Sequence, residues 1–287
     1  MNKRLTNIYN NSKTLNIDNN KKIVIMSDCH RGNGDRNDNF KKNKKIYKEA
    51  LKYYYYNDFT YVELGDGDEI WEESTIEEIK KEYYDIFKLI RKFYLENNFI
   101  TIHGNHDMCK RNKEFVKKNL SKIKNPKTNN QEDLFPNLEV LESLTLKYEN
   151  QELLLLHGHQ VDFLNSNLWK VSRFLVRYVW KNLEYLGLKD PTKKAKNYSV
   201  KNIREKILEN WSKENNVLII SGHTHRPVFP KAGKSTYFND GSCIHPNGVT
   251  CIEIENGEMA LVKWSCQNQI IKREYLSEKE AIKNFST

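Results

Sequence analysis

The sequence predicts an α/β protein built around a central, partly parallel sheet. Three observations predict it. Short apolar runs occur at Ile23-Val24-Ile25-Met26, Tyr61-Val62-Glu63-Leu64 and Phe99–Ile102. Charged segments of helical spacing separate them, and each run ends in a polar cluster. Strand, helix and strand in alternation imply right-handed crossovers between parallel strands. Ligands of open α/β sheets bind where such strands end.

Residues 1–20 are polar and Asn-rich and read as a loose arm or a poorly packed edge. The apolar run at 23–26 is a buried strand ending in Ser27-Asp28. Phe40 to Tyr56 has helical spacing. The strand at 61–64 ends in Gly65-Asp66-Gly67-Asp68. Ile76 to Glu96 reads as one amphipathic helix, with Ile79, Tyr83, Ile86, Phe87 and Ile90 on one face. The strand at 99–102 runs into His103-Gly104-Asn105-His106-Asp107.

The second half has the pattern of a hairpin, Val140 to Leu146 and Leu153 to Leu156, followed by His157-Gly158-His159. Residues 160–215 are helical with a break at Gly187 to Pro191, and form an insertion within one domain spanning 21–287. Val217 to Ile220 is a strand ending in Gly222-His223-Thr224-His225. Thr236 to Phe238, Gly248 to Ile254 and Met259 to Trp264 close the chain with short strands.

Composition excludes several classes. The 287 residues hold five Cys, an odd number with no Cys-x-x-Cys pair, which argues against a disulfide framework and a Cys-type zinc finger. No apolar run approaches the ~18 residues that span a bilayer, and the first residues lack the apolar stretch of a signal peptide. A folded cytoplasmic protein is expected. The net charge of +9 points to an anionic partner. Residues 109–130 hold eight Lys/Arg against one Glu, and residues 160–215 hold twelve against six Asp/Glu. The positive charge is thus concentrated in the segments that follow two of the polar clusters.

Five strand ends carry metal-type side chains: Asp28 and His30, Asp66, Asn105 with His106 and Asp107, His157, and His223 with His225. Any one of these is ordinarily a cap, a turn residue or a hydrogen-bonded core histidine. Together they supply only oxygen and nitrogen donors, each at the end of a strand. Imidazole and carboxylate donors in one set suit Mn, Fe, Zn or Co better than Mg or Ca.

The series Asp28-Cys29-His30, Gly65-Asp66, Gly104-Asn105-His106-Asp107, His157-Gly158 and Gly222-His223-Thr224-His225 resembles the calcineurin-like metallophosphoesterases over about residues 23 to 265. The resemblance implies a four-layer α-β-β-α sandwich of two mixed sheets with a helical insertion. It also implies two divalent transition-metal ions at the strand ends, manganese being expected and iron, zinc or cobalt the alternatives. Mapped by motif, Asp28, His30 and His225 hold one ion, Asn105, His157 and His223 the other, and Asp66 bridges them. An anionic bridge lowers the cost of placing two cations close together. The implied activity is hydrolysis of a phosphoester or pyrophosphate by a metal-bound hydroxide. His106 then protonates the leaving group, and Asp107 orients or charge-stabilises it.

Neighbouring residues have less defined roles. Arg31 either clamps a substrate phosphate or pairs with a surface acid. Asp68 and Glu69 follow the bridging acid; Asp68 either supports the site or belongs to a turn. His159 either contacts substrate or serves the fold, and His245 sits in a loop expected to return near the metals. Strand alternation turns Cys29 into the core.

In the insertion, Leu168 to Leu186 is apolar around most of its circumference. Its charges, Lys170, Arg173, Arg177, Lys181 and Glu184, form one stripe. Either a helical hairpin packs on the body with that stripe in solvent, or a lid turns Arg173 and Arg177 toward an anionic substrate. Such a lid also allows contact with a membrane surface. The insertion, the Ser27-Asp28-Cys29-His30-Arg31-Gly32 opening and the Gly65-Asp66 to Trp71 stretch are similar to the UDP-2,3-diacylglucosamine pyrophosphohydrolases of lipid A synthesis. In that branch Arg commonly replaces the His of the Gly-Asn-His-Asp motif, whereas His106 is present here. The lid carries over and the lipid substrate does not.

The expected substrate is a small nucleotide-type or other phosphorylated molecule. A nuclease or a protein Ser/Thr phosphatase on the same fold is the alternative. Against them stand the lack of an aromatic-and-basic stacking platform for nucleic acid and Ile102-His103 in place of the Leu-Arg before Gly-Asn-His. A non-catalytic metal-binding scaffold would be expected to have lost a ligand, and none is missing.

Overall fold

Helix α1 (Asn2–Asn10) and strand β1 (Lys13–Ile17) open the chain, and β1 pairs in parallel with β8 (Ser143–Tyr148). Of the two readings of residues 1–20, the loose arm is replaced by an ordered helix, and the poorly packed edge is matched by a largely exposed edge strand. Leu5 and Ile8, one turn apart, are the buried residues of α1, and they hold an otherwise polar helix on the body. The structure, a computed structural model, describes residues 2–70, 75–161, 193–246 and 248–285. Trp71, Arg173, Arg177, the striped helix at 168–186 and the break at 187–191 lie outside the described residues.

The alternation continues with β2 (Ile23–Met26), α2 (Lys44–Tyr56), β3 (Thr60–Leu64), α3 (Ile76–Glu82), α4 (Tyr84–Leu95) and β4 (Phe99–Ile102). The single helix expected over 76–96 is two. The chain leaves helical geometry at Tyr83 (φ −108°, ψ 28°), whose buried ring packs edge-on against Phe40 at 5.2 Å and whose hydroxyl donates to Asp38. Then come α5 (Lys113–Leu120), β5 (Lys122–Lys124), β6 (Gln131–Asp133) and β7 (Val140–Leu141). The β8–β9 hairpin, with β9 at Gln151–Leu156, follows. The described part of the insertion returns as α6 (Lys193–Asn215). It leads to β10 (Leu218–Ser221), β11 (Tyr237–Asn239), β12 (Val249–Glu255), β13 (Glu258–Gln267), β14 (Ile270–Tyr275) and β15 (Glu280–Ala281).

Two large mixed sheets result. One has the order β1-β8-β9-β10-β11; the other runs β14-β13-β12-β2-β3-β4-β7, with β15 paired to β13. Three cores define the layers. Strand alternation sends Ile23 and Ile25 to one side of the second sheet, where they meet Leu144, Leu153, Leu155 and Ile220 of the first. Val24 and Met26 point the other way, onto Tyr47, Leu51, Tyr54, Ile86 and Phe93 of α2 and α4. On the outer face of the first sheet, Leu154, Leu156 and Ile219 pack with Leu5 of α1 and Leu208 and Trp211 of α6. Helices therefore cover both outer faces, and the expected α-β-β-α sandwich is observed. Among the described residues no helix is long and apolar enough to cross a membrane.

Strands β2, β3 and β4 are mutually parallel in one sheet, as are β9, β10 and β11 in the other. Each sheet therefore delivers several C-terminal strand ends to one side.

Candidate metal centre

The residues that follow these strand ends converge. Asp28, His30 and His225 form one group, and Asp66, His157 and His223 another. Within each, the ligand-type atoms lie within 4.8 Å of one another. Asp28 Oδ1 is 2.9 Å from His225 Nε2 and 3.6 Å from His30 Nε2. Asp66 Oδ2 is 3.2 Å from His157 Nε2 and 3.7 Å from His30 Nε2, so one carboxylate oxygen faces both groups.

The backbone makes this convergence possible. Asp28, His30, Asp66, His223 and His225 have φ between 47° and 66°, in the left-handed region. For such residues this costs roughly 1–3 kcal/mol each and persists only where surrounding structure enforces it. Ladder bonds do so here: Asp28 N–H donates to Gly65 O at 3.0 Å and His30 N–H to Asp66 O at 2.8 Å. Cys29, between two of these residues, is fully buried against the helical layer, as expected. The alternation that turns it inward arises from this strained turn, since β2 already ends at Met26.

Two glycines are dictated by close approach. A Cβ on Gly65, itself at φ +90°, would lie 2.5 Å from His157 Nδ1, and one on Gly104 would lie 2.0 Å from Asp66 Oδ1. Backbone donors complete the cradle: His106 N–H donates to Asp66 Oδ1 at 2.8 Å and His223 N–H to Asp28 Oδ2 at 2.9 Å. His157 Nδ1 donates to Leu64 O at 2.9 Å, which turns Nε2 toward Asp66.

Electrostatics follow from burying carboxylates among imidazoles. Burial works to raise Asp28 and Asp66, but the histidines around them hold both well below the usual carboxylate range. His157 would be lowered by burial, but Asp66 and Asp28 push it up to about 9. His223 goes the other way, lowered by burial and by His157. Asp240, after β11, is pushed up by burial and by Asp28, and its Oδ1 accepts from Ser27 Oγ at 2.7 Å.

Asn105 Oδ1 is buried without a hydrogen bond, and Asp28 Oδ1 and His157 Nε2, though 2.9 Å from His225 Nε2 and 3.2 Å from Asp66 Oδ2, meet them without hydrogen-bond geometry. Leaving a buried amide oxygen such as that of Asn105 unsatisfied costs about 1–3 kcal/mol. A cation among these atoms would remove that cost, and the residues present fit one.

His106 lies at the rim, its ring packed edge-on against His30 at 4.6 Å. Its Nδ1 is 2.8 Å from Glu69 Oε1, while Glu69 Oε2 is 2.8 Å from His30 Nδ1. One carboxylate thus holds both imidazoles. Burial works to raise Glu69, but His106 and His30 bring it to about 2. The expectation that Asp107 orients His106 is corrected. Asp107 accepts from Gly104 N–H at 2.6 Å and Gly67 N–H at 3.2 Å, pairs with Lys110, and thereby pins the two loops. The orienting acid is Glu69.

Of the two roles expected for Arg31, the phosphate clamp is corrected, and the pairing with an acid is observed, with acids that are buried and not at the surface. Arg31 is 1 % exposed and turned away from the site, paired with Asp68 at 2.7 Å and Glu63 at 2.8 Å. A guanidinium buried against two carboxylates is not placed to clamp a phosphate. Asp68 in turn pairs with Lys110 at 2.8 Å, so one lysine of the basic 109–130 segment is consumed inside the fold. His159 is buried with its ring beside His103 and His157. His245 is exposed, its carbonyl tied to Asn43, and it joins neither group.

One further cation reaches the centre: Arg204 of α6, with Nη1 3.5 Å from His223 Nε2. Nothing in the sequence marks it, since its proximity depends on the length and direction of α6.

A family model described as calcineurin-like phosphoesterase matches residues 21–227. Solved structures similar to this chain include vacuolar protein sorting 29 from Cryptosporidium parvum, at 15% identity, covering 92% of this chain and 100% of that one, with a TM-score of 0.43. A predicted phosphoesterase from Streptococcus pneumoniae is 15% identical over 89% of this chain and 97% of that one, with a TM-score of 0.35. A cold-active protein-tyrosine phosphatase from a psychrophilic Shewanella is 13% identical over 92% and 82%, with a TM-score of 0.41. None of the curated proteins matches the chain.

Proposed function

The chain belongs to the calcineurin-like phosphoesterases, which are metal-dependent, and from that premise we propose that it is a di-metal phosphohydrolase acting on a small phosphorylated molecule. The observation that carries this reading is the convergence of two oxygen-and-nitrogen donor groups, Asp28 with His30 and His225 and Asp66 with His157 and His223, the Asp66 carboxylate facing both. Asp28, His30 and His225 would hold one cation, Asn105, His157 and His223 the other, and Asp66 would be shared. When bound, the two ions would neutralise the phosphoryl group and acidify water near neutral pH. Manganese suits the mixed donors, with iron, zinc or cobalt as alternatives.

The protein's own groups supply positioning and the proton. Glu69 accepts from Nδ1 of His106, which favours the protonated ring and places the transferable proton at Nε2. From there it would pass to the departing oxygen. The same carboxylate fixes His30 so that its Nε2 faces Asp28 and Asp66. Asp107 holds Gly67 and Gly104, and with them the loops bearing Asp66 and Asn105. The resemblance to the UDP-2,3-diacylglucosamine branch, in the 160–215 insertion, the Ser27 to Gly32 opening and the Gly65-Asp66 to Trp71 stretch, favours a lid, with Arg173 and Arg177 as proposed substrate contacts.

A metal-supplemented panel tests the reading: p-nitrophenyl phosphate, nucleotide diphosphate sugars, cyclic nucleotides, single-stranded DNA and phosphopeptides. Turnover of a small phosphorylated compound that is lost in Asp66→Asn is expected. Turnover that survives both exhaustive chelation and Asp66→Asn would contradict it.

A further inference from the structure

The two large sheets end in β1, β11, β14 and β7, and β14 is the longest of these edge strands. It pairs with β13 on one side, and no other described strand covers its outer side. An open edge presents N–H and C=O groups to any strand that can match it. The ladder decides which groups are open. Leu276 N–H, just beyond β14, donates to Leu261 O at 2.8 Å. Antiparallel bonding alternates along a strand, so the backbone groups of Ile270, Lys272 and Glu274 also turn toward β13. Those of Ile271, Arg273 and Tyr275 turn outward.

The side chains divide in the same way. Ile271 and Arg273 lie on the helical side, where Ile271 packs against the core under α2 and Arg273 lies over the ring of Tyr53. The opposite face carries Ile270, Lys272 and Glu274, with Leu276 next in the alternation. All four are exposed, Ile270 at 62 % and Leu276 at 48 %. Among the described residues neither Lys272 nor Glu274 is in an ion pair.

We propose that β14 is a self-association surface. Two copies of the chain pair their β14 strands antiparallel about a two-fold axis through Arg273, which joins their eight-stranded sheets edge to edge. Such a contact is isologous, so the strand must complement itself. Outward backbone groups must also meet outward groups. With Arg273 opposite Arg273, Ile271 falls opposite Tyr275, and every outward residue of β14 finds a partner. On the exposed face the same register sets Lys272 opposite Glu274 of the second copy, twice by symmetry, and Ile270 opposite Leu276. The Lys272 and Glu274 positions do not exchange backbone bonds, which is where opposed side chains come closest. Opposite charges placed there stabilise the pair and like charges destabilise it. The neighbouring permitted registers set Lys272 against Lys272 or Glu274 against Glu274, and leave an outward residue beyond the partner strand. Arg273 meets its own copy on the helical face, where its charge is already paired with Glu253 at 2.9 Å. Strands β12 and β13 lie between this edge and β2, so the pairing leaves the metal centre open.

The test is analytical sedimentation of the full chain from about 1 to 300 µM, the range suited to an interface as small as one strand pair. Wild type should pass from monomer to dimer over that range, and molar salt should weaken the dimer, because its charge pairs are exposed. Lys272→Glu sets like charges opposite each other at two symmetric places, and so does Glu274→Lys. Each should weaken dimerisation about tenfold or more, with native circular dichroism because both side chains are exposed. An equimolar mixture of the two variants should recover the dimer, since an acidic exposed face then meets a basic one. A wild type that stays monomeric at the highest concentration, its edge left to solvent or to another protein's strand, would overturn the proposal. A dimer that survives either substitution would overturn it too, as would a mixture of the two variants that stays monomeric.

Discussion

Glu69→Gln is the perturbation that separates positioning from fold. Both carboxylate oxygens are in use, each 2.8 Å from an imidazole Nδ1, and the side chain is only 12 % exposed, so little water is available to substitute. An amide offers one acceptor oxygen and one NH2 in place of two acceptors. One histidine therefore loses its acceptor, a charge-assisted bond of about 1.5–3 kcal/mol. That corresponds to about 10- to 150-fold in an equilibrium or rate. If His30 loses it, the favoured tautomer places a proton on Nε2, and metal affinity should fall about 10- to 100-fold, as for other partners of ligating histidines. If His106 loses it, the proton donor is weakened. Burial works to lower His106, whereas Glu69, followed by Asp66, raises it. Removing the Glu69 charge lets its proton affinity drop, so the high-pH limb of the rate profile should move to lower pH. Steady-state rates should be measured at saturating metal with p-nitrophenyl and alkyl phosphates, and metal affinity by titration. The alkyl esters should lose more, because their departing oxygen needs the proton most. Equal losses for both leaving groups, together with unchanged metal affinity, would refute the assignment of Glu69 to the two imidazoles.

Three other outcomes are expected. Gly104→Ala forces a Cβ to within 2.0 Å of Asp66 Oδ1, so bound metal should fall below the wild-type content while circular dichroism stays native; full metal content would show that the loop relaxes freely. Trp211→Ala removes a fully buried ring whose Nε1 donates to Thr6 Oγ1 at 3.1 Å. It should cost about 3–5 kcal/mol in urea denaturation and speed hydrogen exchange in α1, and a loss under 1 kcal/mol would refute that packing. His103 is held at about 4 by burial, against the opposing pull of Asp107, relative to an ordinary value of 6.5. A neutral buried histidine contributes stability above pH 6.5 that is lost as pH falls from 6.5 through 4, about 3 kcal/mol in all. The difference in unfolding free energy between wild type and His103→Gln should shrink over that window, and a constant difference would contradict the burial argument.

The layering was legible because apolar alternation in strands such as 23–26 and 99–102 is a direct imprint of two-sided burial. The candidate ligands were legible because each follows such a strand. What stayed hidden depends on side-chain direction within turns. In Gly65-Asp66-Gly67-Asp68-Glu69 three acids are consecutive candidates. Only the left-handed backbone at Asp66 decides that Asp68 turns toward Arg31 and Glu69 toward the histidines. From its place after His30, Arg31 reads equally as a phosphate clamp or as the partner of an acid; its inward course is set by Glu63, a strand residue whose burial looks anomalous until its partners are seen. Helix α1 was missed because two buried residues in a polar segment are too faint a stripe, and its partner Trp211 is remote in sequence. Arg204 was missed for a similar reason, being 19 residues from the histidine it meets.

The central claim is that this donor set holds two cations around Asp66. The most direct measurement is metal content per chain by plasma mass spectrometry, after manganese loading and gel filtration, for wild type and Asp66→Asn. The account predicts close to two ions per wild-type chain and a clear loss in the variant, whose amide cannot supply the shared negative charge. A wild-type chain that retains fewer than one ion under these conditions, or an Asp66→Asn chain that retains two, would contradict it.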